Sequence, residues 1–226
     1  MIFNKDILFI HVPKTGGTSA EEWLANVLTP PVYWTDRYFN QPPVARKSEP
    51  VPPGVTVLPM MRHEPLPVAL AAMFEQGLDP AQLKAIVAVR RNPYALEVSK
   101  YHYFLDYEAK YPRAGLIDIQ SGFGWFLYNH VGFWRGKYTP QEYYQPPPEL
   151  ADKFLLLDCD QLDAQLPALA GLLGVDAPPP VPRKNTTKHG RWQDYYNVKL
   201  SDIVYEAYKW IFERGWYERF IPEHDF

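Results

Sequence analysis

The chain has little cysteine, no excess of either charge and no long apolar run, and each shortage removes a class of function. One cysteine in 226 residues, Cys159, leaves no intrachain disulfide framework and no cysteine-based metal cluster. A formal net charge of −3 gives nucleic acid and anionic membranes no general attraction, so any anion site must be built locally. No stretch approaches the roughly 20 apolar residues of a membrane span. The opening MIFNKDILFI carries Lys5 and Asp6 within its apolar run, which is not a secretory signal pattern, and a cytoplasmic location is expected. With 46% hydrophobic and 22% charged residues the composition is globular, and a single domain over 1–226 is expected.

Proline and aromatic residues are abundant instead. The 24 prolines are about twice the ordinary share of roughly 5%. They cluster between patterned segments. Thr29–Pro59 reads as a long irregular excursion with a short strand near Val55–Leu58, and DAPPPVP (176–182) is excluded from regular structure. Excursions of that length in a domain are usually functional. Aromatics reach 15%, and those of Gly122–Tyr144 can stack on sugar-like faces while offering a polar tip.

Hydrophobic periodicity supplies the frame. DILFIHV (6–12), KAIVAV (84–89) and KFLLLD (153–158) are short, β-branched or leucine-rich runs that read as buried strands. Helices are expected after each: SAEEWLANVL (19–28), the long NPYALEVSKYHYFLDYEAK with Asn92 as cap and Pro93 at its first position, and QLDAQLPALAGLLG (161–174). Further helices are expected at Leu66–Gly77 and from about Lys199 to Glu213. Strands alternating with helices argue for an α/β fold with a central parallel sheet flanked by helices, where ligands sit at the carboxyl ends of the strands.

At such an end lies HVPKTGGTSAEEW (11–23). A strand feeding a glycine turn that opens a helix presents a concave set of backbone N–H groups, and the helix dipole adds partial positive charge. Phosphate suits that set. The nucleotide-binding order G-x-x-x-x-G-K-[ST] places its lysine after the glycines. Here Lys14 precedes Gly16 and Gly17, so the loop suits a single phosphate with the lysine beside the bond to a transferred group. The alternative is a tight turn with an exposed lysine. In VRRNPYALEVSKYHYF (89–104), Arg91 ends a strand and Ser99 lies two turns into the next helix, a fork and a hydroxyl suited to a second phosphate. The alternative for Arg91 is a surface ion pair.

PKTGGTS resembles the 5′-phosphosulfate loop of sulfotransferases that use 3′-phosphoadenosine 5′-phosphosulfate (PAPS), and VRRNPYALEVSKYHYF is similar to their 3′-phosphate motif R-[ND]-P-x-x-x-x-x-S-x-Y. FLLLDCDQL and the following helix resemble the family's third strand and helix, and PRKNTTKHGRWQDYY (182–196) its late cofactor-covering loop. The branch most similar is the bacterial and Golgi carbohydrate type that includes heparan sulfate 2-O-sulfotransferase. The resemblance implies a P-loop-type three-layer fold, and it implies roles at matching positions. Thr15, Gly16, Gly17, Thr18 and Ser19 would hold the 5′-phosphate, and Lys14 would neutralise the bridging oxygen as the sulfuryl group leaves. Arg91 and Ser99 would bind the 3′-phosphate, with Lys188 and Arg191 of the late loop assisting. His63, in MMRHEPLPVAL, would be the general base, with Glu64 as runner-up. The acceptor implied is a hydroxyl, on a carbohydrate first. No metal is expected, because a sulfuryl group carries less charge than a phosphoryl group and Lys14 with the loop can meet it. His102 is expected to pack or to contact the cofactor helix. Two other readings stay open: a small-molecule P-loop kinase, and a catalytically silent nucleotide-binding interaction protein.

Overall fold

A computed structural model describes residues 1–37, 51–110, 119, 121–133, 137–182 and 189–223. Much of the proline-rich excursion, 38–50, therefore lies outside the described residues, as does Lys188. The chain divides into two compact units, Met1–Arg90 with Glu142–Asn185, and Arg91–Gln141 with Thr186–Phe226.

The first unit is α/β. Its six strands are β1 (Ile2–Phe3), β2 (Ile7–Ile10), β3 (Val32–Arg37), β4 (Val55–Met61), β5 (Ala85–Arg90) and β6 (Phe154–Asp158), in the order β4-β3-β1-β2-β5-β6. The three strands expected from sequence lie side by side and parallel: Phe9 faces Val87, and Val87 faces Leu155. The expectation of a wholly parallel sheet needs correction. β1 runs antiparallel to both β2 and β3, so the sheet is mixed, though mostly parallel. The reversal comes from a short turn in which the Asn4 side chain accepts from the N–H groups of Asp6 and Ile7, at 2.9 and 3.0 Å. An asparagine that satisfies the backbone two residues on makes such a turn favourable.

Helices α1 (Gly17–Val27) and α6 (Leu162–Leu173) bury their apolar sides in one cluster with Ile7, Phe9, Val87 and Leu157. Because side chains alternate along a strand, these odd-numbered positions share a face, and Leu8 and Ile10 project to the other. There α2 (Leu66–Glu75) packs against β2. The proline run ties down the first face: the Trp23 indole N–H donates to the carbonyl of Pro179 at 2.8 Å. Tyr143 and Tyr144, at the end of α5 (Pro140–Tyr144), are buried and donate to the carbonyls of His63 and Val89.

The second unit is helical. It contains α3 (Pro93–Lys110), α4 (Gly122–His130), α7 (Val198–Ala207) and α8 (Lys209–Glu213). Asn92 caps α3 as expected, accepting from the Tyr94 N–H at 2.9 Å. The single closing helix expected at 199–213 is instead split at Tyr208, whose buried hydroxyl donates to Glu97. Glu97 lies fully buried on α3 with Lys100 Nζ 2.9 Å from both its oxygens, and Lys100 also donates to the carbonyls of His130 and Gly132 at 3.0 and 2.7 Å. Around this knot sits a ring cluster in which Tyr94 stacks on Trp192 at 5.5 Å and 12°. No helix among the described residues is long and apolar enough to cross a membrane.

Removing one partner of a buried charge pair leaves the other uncompensated, at a cost of about 3–5 kcal/mol. Lys100→Met is therefore expected to lower unfolding stability by that order in urea, and a loss below about 1 kcal/mol would show that Glu97 is sustained by Tyr208 and the Gly132 N–H alone.

Candidate functional site

The loop after β2 turns back on itself through two left-handed residues. Lys14 has φ 62 and Gly16 has φ 85. Among the described residues Lys14 is the one non-glycine residue in this region of backbone space, which costs on the order of 1–3 kcal/mol and concentrates at functional sites. Left- and right-handed residues in alternation bring successive N–H groups to one concave side. Among the described residues none accepts from the backbone N–H groups of Thr15, Gly16, Gly17 or Thr18. The Thr15 hydroxyl is used differently: it donates to the carbonyl of Val12 at 3.0 Å and closes the loop from inside.

Gly16 rather than a hydroxyl residue precedes the helix, so Thr18 and Ser19 stand inside its first turn and not at the cap. Ser19 is buried, with its N–H 3.0 Å from the Gly16 carbonyl; Thr18 is half-buried. A side chain at Gly16 would meet Leu162 Cδ1 at 2.6 Å, and one at Gly17 would meet the His11 ring at 2.4 to 2.9 Å. Both glycines thus let the loop lie flat on what supports it.

That support is a buried set of charges. Glu21 falls on the apolar stripe of α1 with Leu24, Ala25 and Leu28, and its exposure is 0%. Arg62 reaches Glu21 Oε2 through Nη2 at 2.7 Å and Nε at 2.9 Å, and the Met1 α-amino group lies 2.9 Å from Oε1. His11 Nδ1 is 2.9 Å from Oε2. A carboxylate only accepts, so His11 Nδ1 carries its proton; Arg62 Nε, 3.2 Å from that nitrogen, directs its hydrogen to the same oxygen. Burial pushes His11 down to about 4, with Glu21 pulling upward and Arg62 adding to the depression. Burial also works against the Glu21 charge, but Arg62, His11 and the α-amino group hold its carboxyl well below the usual range.

His63 stands next to this set. Its ring meets that of His11 edge-on, with centroids 4.4 Å apart and planes at 89°. Its Nδ1 is 3.0 Å from the His11 carbonyl oxygen. A carbonyl cannot donate, so Nδ1 bears the hydrogen and Nε2 keeps its lone pair. Burial, then His11 and Arg62, lower His63 well below its ordinary value, so the ring is neutral at neutral pH. A half-buried neutral imidazole whose hydrogen sits on Nδ1 has at Nε2 the basic nitrogen that proton transfer from a hydroxyl requires.

The structure therefore brings Lys14, Thr15, Gly16, Gly17, Thr18, Ser19 and His63 into the first unit. Arg91, Ser99 and Arg191 belong to the second. Arg91 is half-buried just ahead of the Asn92 cap, and Ser99 is buried within α3 at 3% exposure. The Arg191 side chain is 80% exposed and paired with Asp194 at 2.9 Å. His102 packs as expected, 2.7 Å from the Tyr195 hydroxyl and stacked on His189 at 5.1 Å. Glu21 and Arg62 carry no role in the sequence reading. The signal was present for Glu21: a carboxylate on an apolar helix stripe requires buried cations opposite.

No known family model matches this chain, and no curated protein matches it.

Two outcomes follow from the support. Gly17→Ala drives a methyl group into a ring held by Glu21, and a destabilisation of about 1–3 kcal/mol is expected in urea unfolding; an unchanged midpoint would mean that the ring yields freely. The second concerns pH. The unfolded chain protonates its histidines below about 6.5, whereas folded His11 stays neutral until about 4. Stability is thus fully present above 6.5 and declines as pH falls toward 4, by on the order of 3 kcal/mol from His11. Below the usual carboxylate range the unfolded chain protonates Glu21 while the folded chain keeps it ionised, which continues the loss. Unfolding measured from pH 7 to 4.5 should show this slope, and His11→Asn should flatten it.

Proposed function

We propose that the chain is a sulfotransferase that moves the sulfuryl group of PAPS to an acceptor hydroxyl, on a carbohydrate or glycoconjugate, in the cytoplasm. The observation that carries the reading is the pairing, in one unit, of a left-handed lysine loop rich in N–H donors with a neutral histidine that carries its hydrogen on Nδ1. An α/β unit with a mostly parallel sheet and a loop at the carboxyl end of β2 suits a P-loop-type three-layer fold.

In this reading the N–H groups of Thr15 to Thr18 bind the 5′-phosphate, the Thr18 and Ser19 hydroxyls assist, and Lys14 meets the charge that grows on the bridging oxygen. His63 Nε2 takes the proton of the acceptor hydroxyl as its oxygen attacks sulfur. The bond from sulfur to the phosphate oxygen breaks, and adenosine 3′,5′-bisphosphate leaves. Arg91 and Ser99, with Lys188 and Arg191 from the late loop, hold the 3′-phosphate, so binding energy remote from sulfur fixes the line of transfer. The sulfuryl group is weakly charged, and Lys14 with the loop meets it without a divalent ion.

Calorimetric titration with adenosine 3′,5′-bisphosphate in the absence of metal tests the reading. Binding is expected in the native chain, with at least tenfold weakening in Lys14→Ala and in Arg91→Ala, about 1.4 kcal/mol each. Preference for ADP with Mg²⁺, or no binding of either nucleotide, would sink it.

A further inference from the structure

The His11 ring forms the floor of the loop after β2. It is 3% exposed, and the Cβ that Gly17 lacks would lie 2.6 Å from its Nε2 and 2.4 Å from its Cδ2. Nδ1 is committed to Glu21 at 2.9 Å, whereas Nε2 makes no hydrogen bond among the described residues. A ring nitrogen of a buried residue, left without a partner against a loop of N–H donors, calls for a physical reason. The charges around the ring supply one. Among the described residues Glu21 on α1 is the anion that faces it. Arg62 after β4 and the Met1 α-amino group ahead of β1 are cations gathered on that same carboxylate, and His63 meets the ring edge-on at 4.4 Å. Glu21 is thus shared with two cations, and burial adds its own penalty, so His11 stays neutral until about 4. A proton on the ring lacks a second anion, and the loop is where one can arrive.

We propose that the loop takes up a proton together with its anion and that His11 receives it, so that a doubly charged anion in the loop and a charged His11 ring favour one another. Gly17 lies against the ring, and an anion bound by its N–H therefore sits within roughly 10 Å of it. At an effective dielectric near 20, a dianion at about that distance raises an imidazole midpoint by about two pH units. The sign follows from proton uptake. Affinity is gained as pH falls through the midpoint of the occupied state, and the gain levels off below the free midpoint of about 4. His11 thereby determines specificity by charge, because a monoanion draws the proton less strongly than a dianion. In the proposed transfer the phosphate in the loop becomes a dianion as its bond to sulfur breaks, and the linkage meets the charge of the departing product.

The inference rests on the proposed function only for an anion in the loop, and its test reads the ring. Sulfate is the probe, since it stays a dianion from pH 8 to 5, with chloride at matched ionic strength as control. Full-length ¹⁵N-labelled protein is followed by proton–nitrogen correlation spectra of its 6 histidines and its backbone amides. Signals lost in His11→Asn assign His11, and His63→Gln assigns the neighbouring ring so that its own titration is kept apart. Without sulfate, His11 is expected to stay largely neutral down to pH 5. With sulfate bound, its midpoint is expected to rise by about two units, and affinity read at the Thr15–Thr18 amides to increase about tenfold from pH 7 to 5. His11→Asn keeps a donor to Glu21 without a titrating ring, and its affinity is expected to change no more than about twofold over that range. A pH-independent affinity in the native chain, a His11 midpoint that bound sulfate leaves in place, or the native gain in His11→Asn would each overturn the proposal while leaving the loop an anion site. Amides unmoved by sulfate would overturn it along with the loop. If His11→Asn does not fold, calorimetry of sulfate binding at pH 5 in two buffers of different ionisation heat decides: protons taken up support the proposal, and none taken up overturns it. The expected linkage in a chain that does not bind adenosine 3′,5′-bisphosphate would remove the sulfotransferase reading and leave the proton-linked loop standing.

Discussion

A single carboxylate holds the first unit's working end together. Glu21 is removed from water, and a charge so placed is stable only where cations and donors converge on it. Three parts of the chain supply them, Met1 just ahead of β1, His11 just after β2 and Arg62 just after β4, and α1 carries the carboxylate. Each would be a separate loose end without the others. The arrangement explains why the glycine turn can be so tight, since the His11 ring beneath it is held by the same oxygen that holds Arg62. Taking charges out of water adds little net stability, but it makes one geometry much cheaper than its neighbours. For a site that must present several N–H groups and an imidazole in fixed relation, that is the more useful contribution.

The second unit repeats the device with different chemistry. Glu97, Lys100 and Tyr208 form its buried polar knot, and an aromatic cluster provides the apolar bulk around Tyr94. The high aromatic content of the sequence is spent largely here and on buried tyrosines such as Tyr143 and Tyr144, which use their hydroxyls on backbone carbonyls. Tyrosine suits that duty because its ring fills space while its tip satisfies a buried acceptor. Burial of Tyr196, followed by the charge of Glu97, pushes its phenol well above the usual value, so that hydroxyl keeps its proton and goes on donating to the Tyr94 carbonyl.

Legibility followed locality. β2 and β5 stood out because their side chains are buried runs bounded by breakers, and α3 because Asn92 and Pro93 mark its start within two residues. β6 was found by its leucine-rich run, but the expectation that it is buried fails, because it is an edge strand with Leu157 buried and Leu155 exposed. β3 was hidden: VYWTDR sits among prolines, and its strand character comes from pairing with β1 and β4, which no local pattern encodes. The two-residue β1 was equally invisible, and with it the antiparallel element of the sheet. At the site, the spacing of Lys14, Gly16 and Gly17 announced a tight turn between strand and helix, which the left-handed backbone at Lys14 and Gly16 makes. The reason Gly17 must be glycine lay elsewhere, in His11 beneath it. Arg62 and Glu21 are 41 residues apart, and only the folded chain shows that they are partners.

The left-handed backbone at Lys14 sets conformational preference against charge at one position. Glycine adopts such a backbone without the steric penalty that lysine incurs, so relief of the strain and loss of the cation would arrive in the same substitution. Selection for a sturdier protein alone would drive this residue toward glycine, and with it erase the positive charge of the loop. Variants bred for heat tolerance would drift toward an uncharged loop, because at this residue backbone comfort and positive charge call for different side chains.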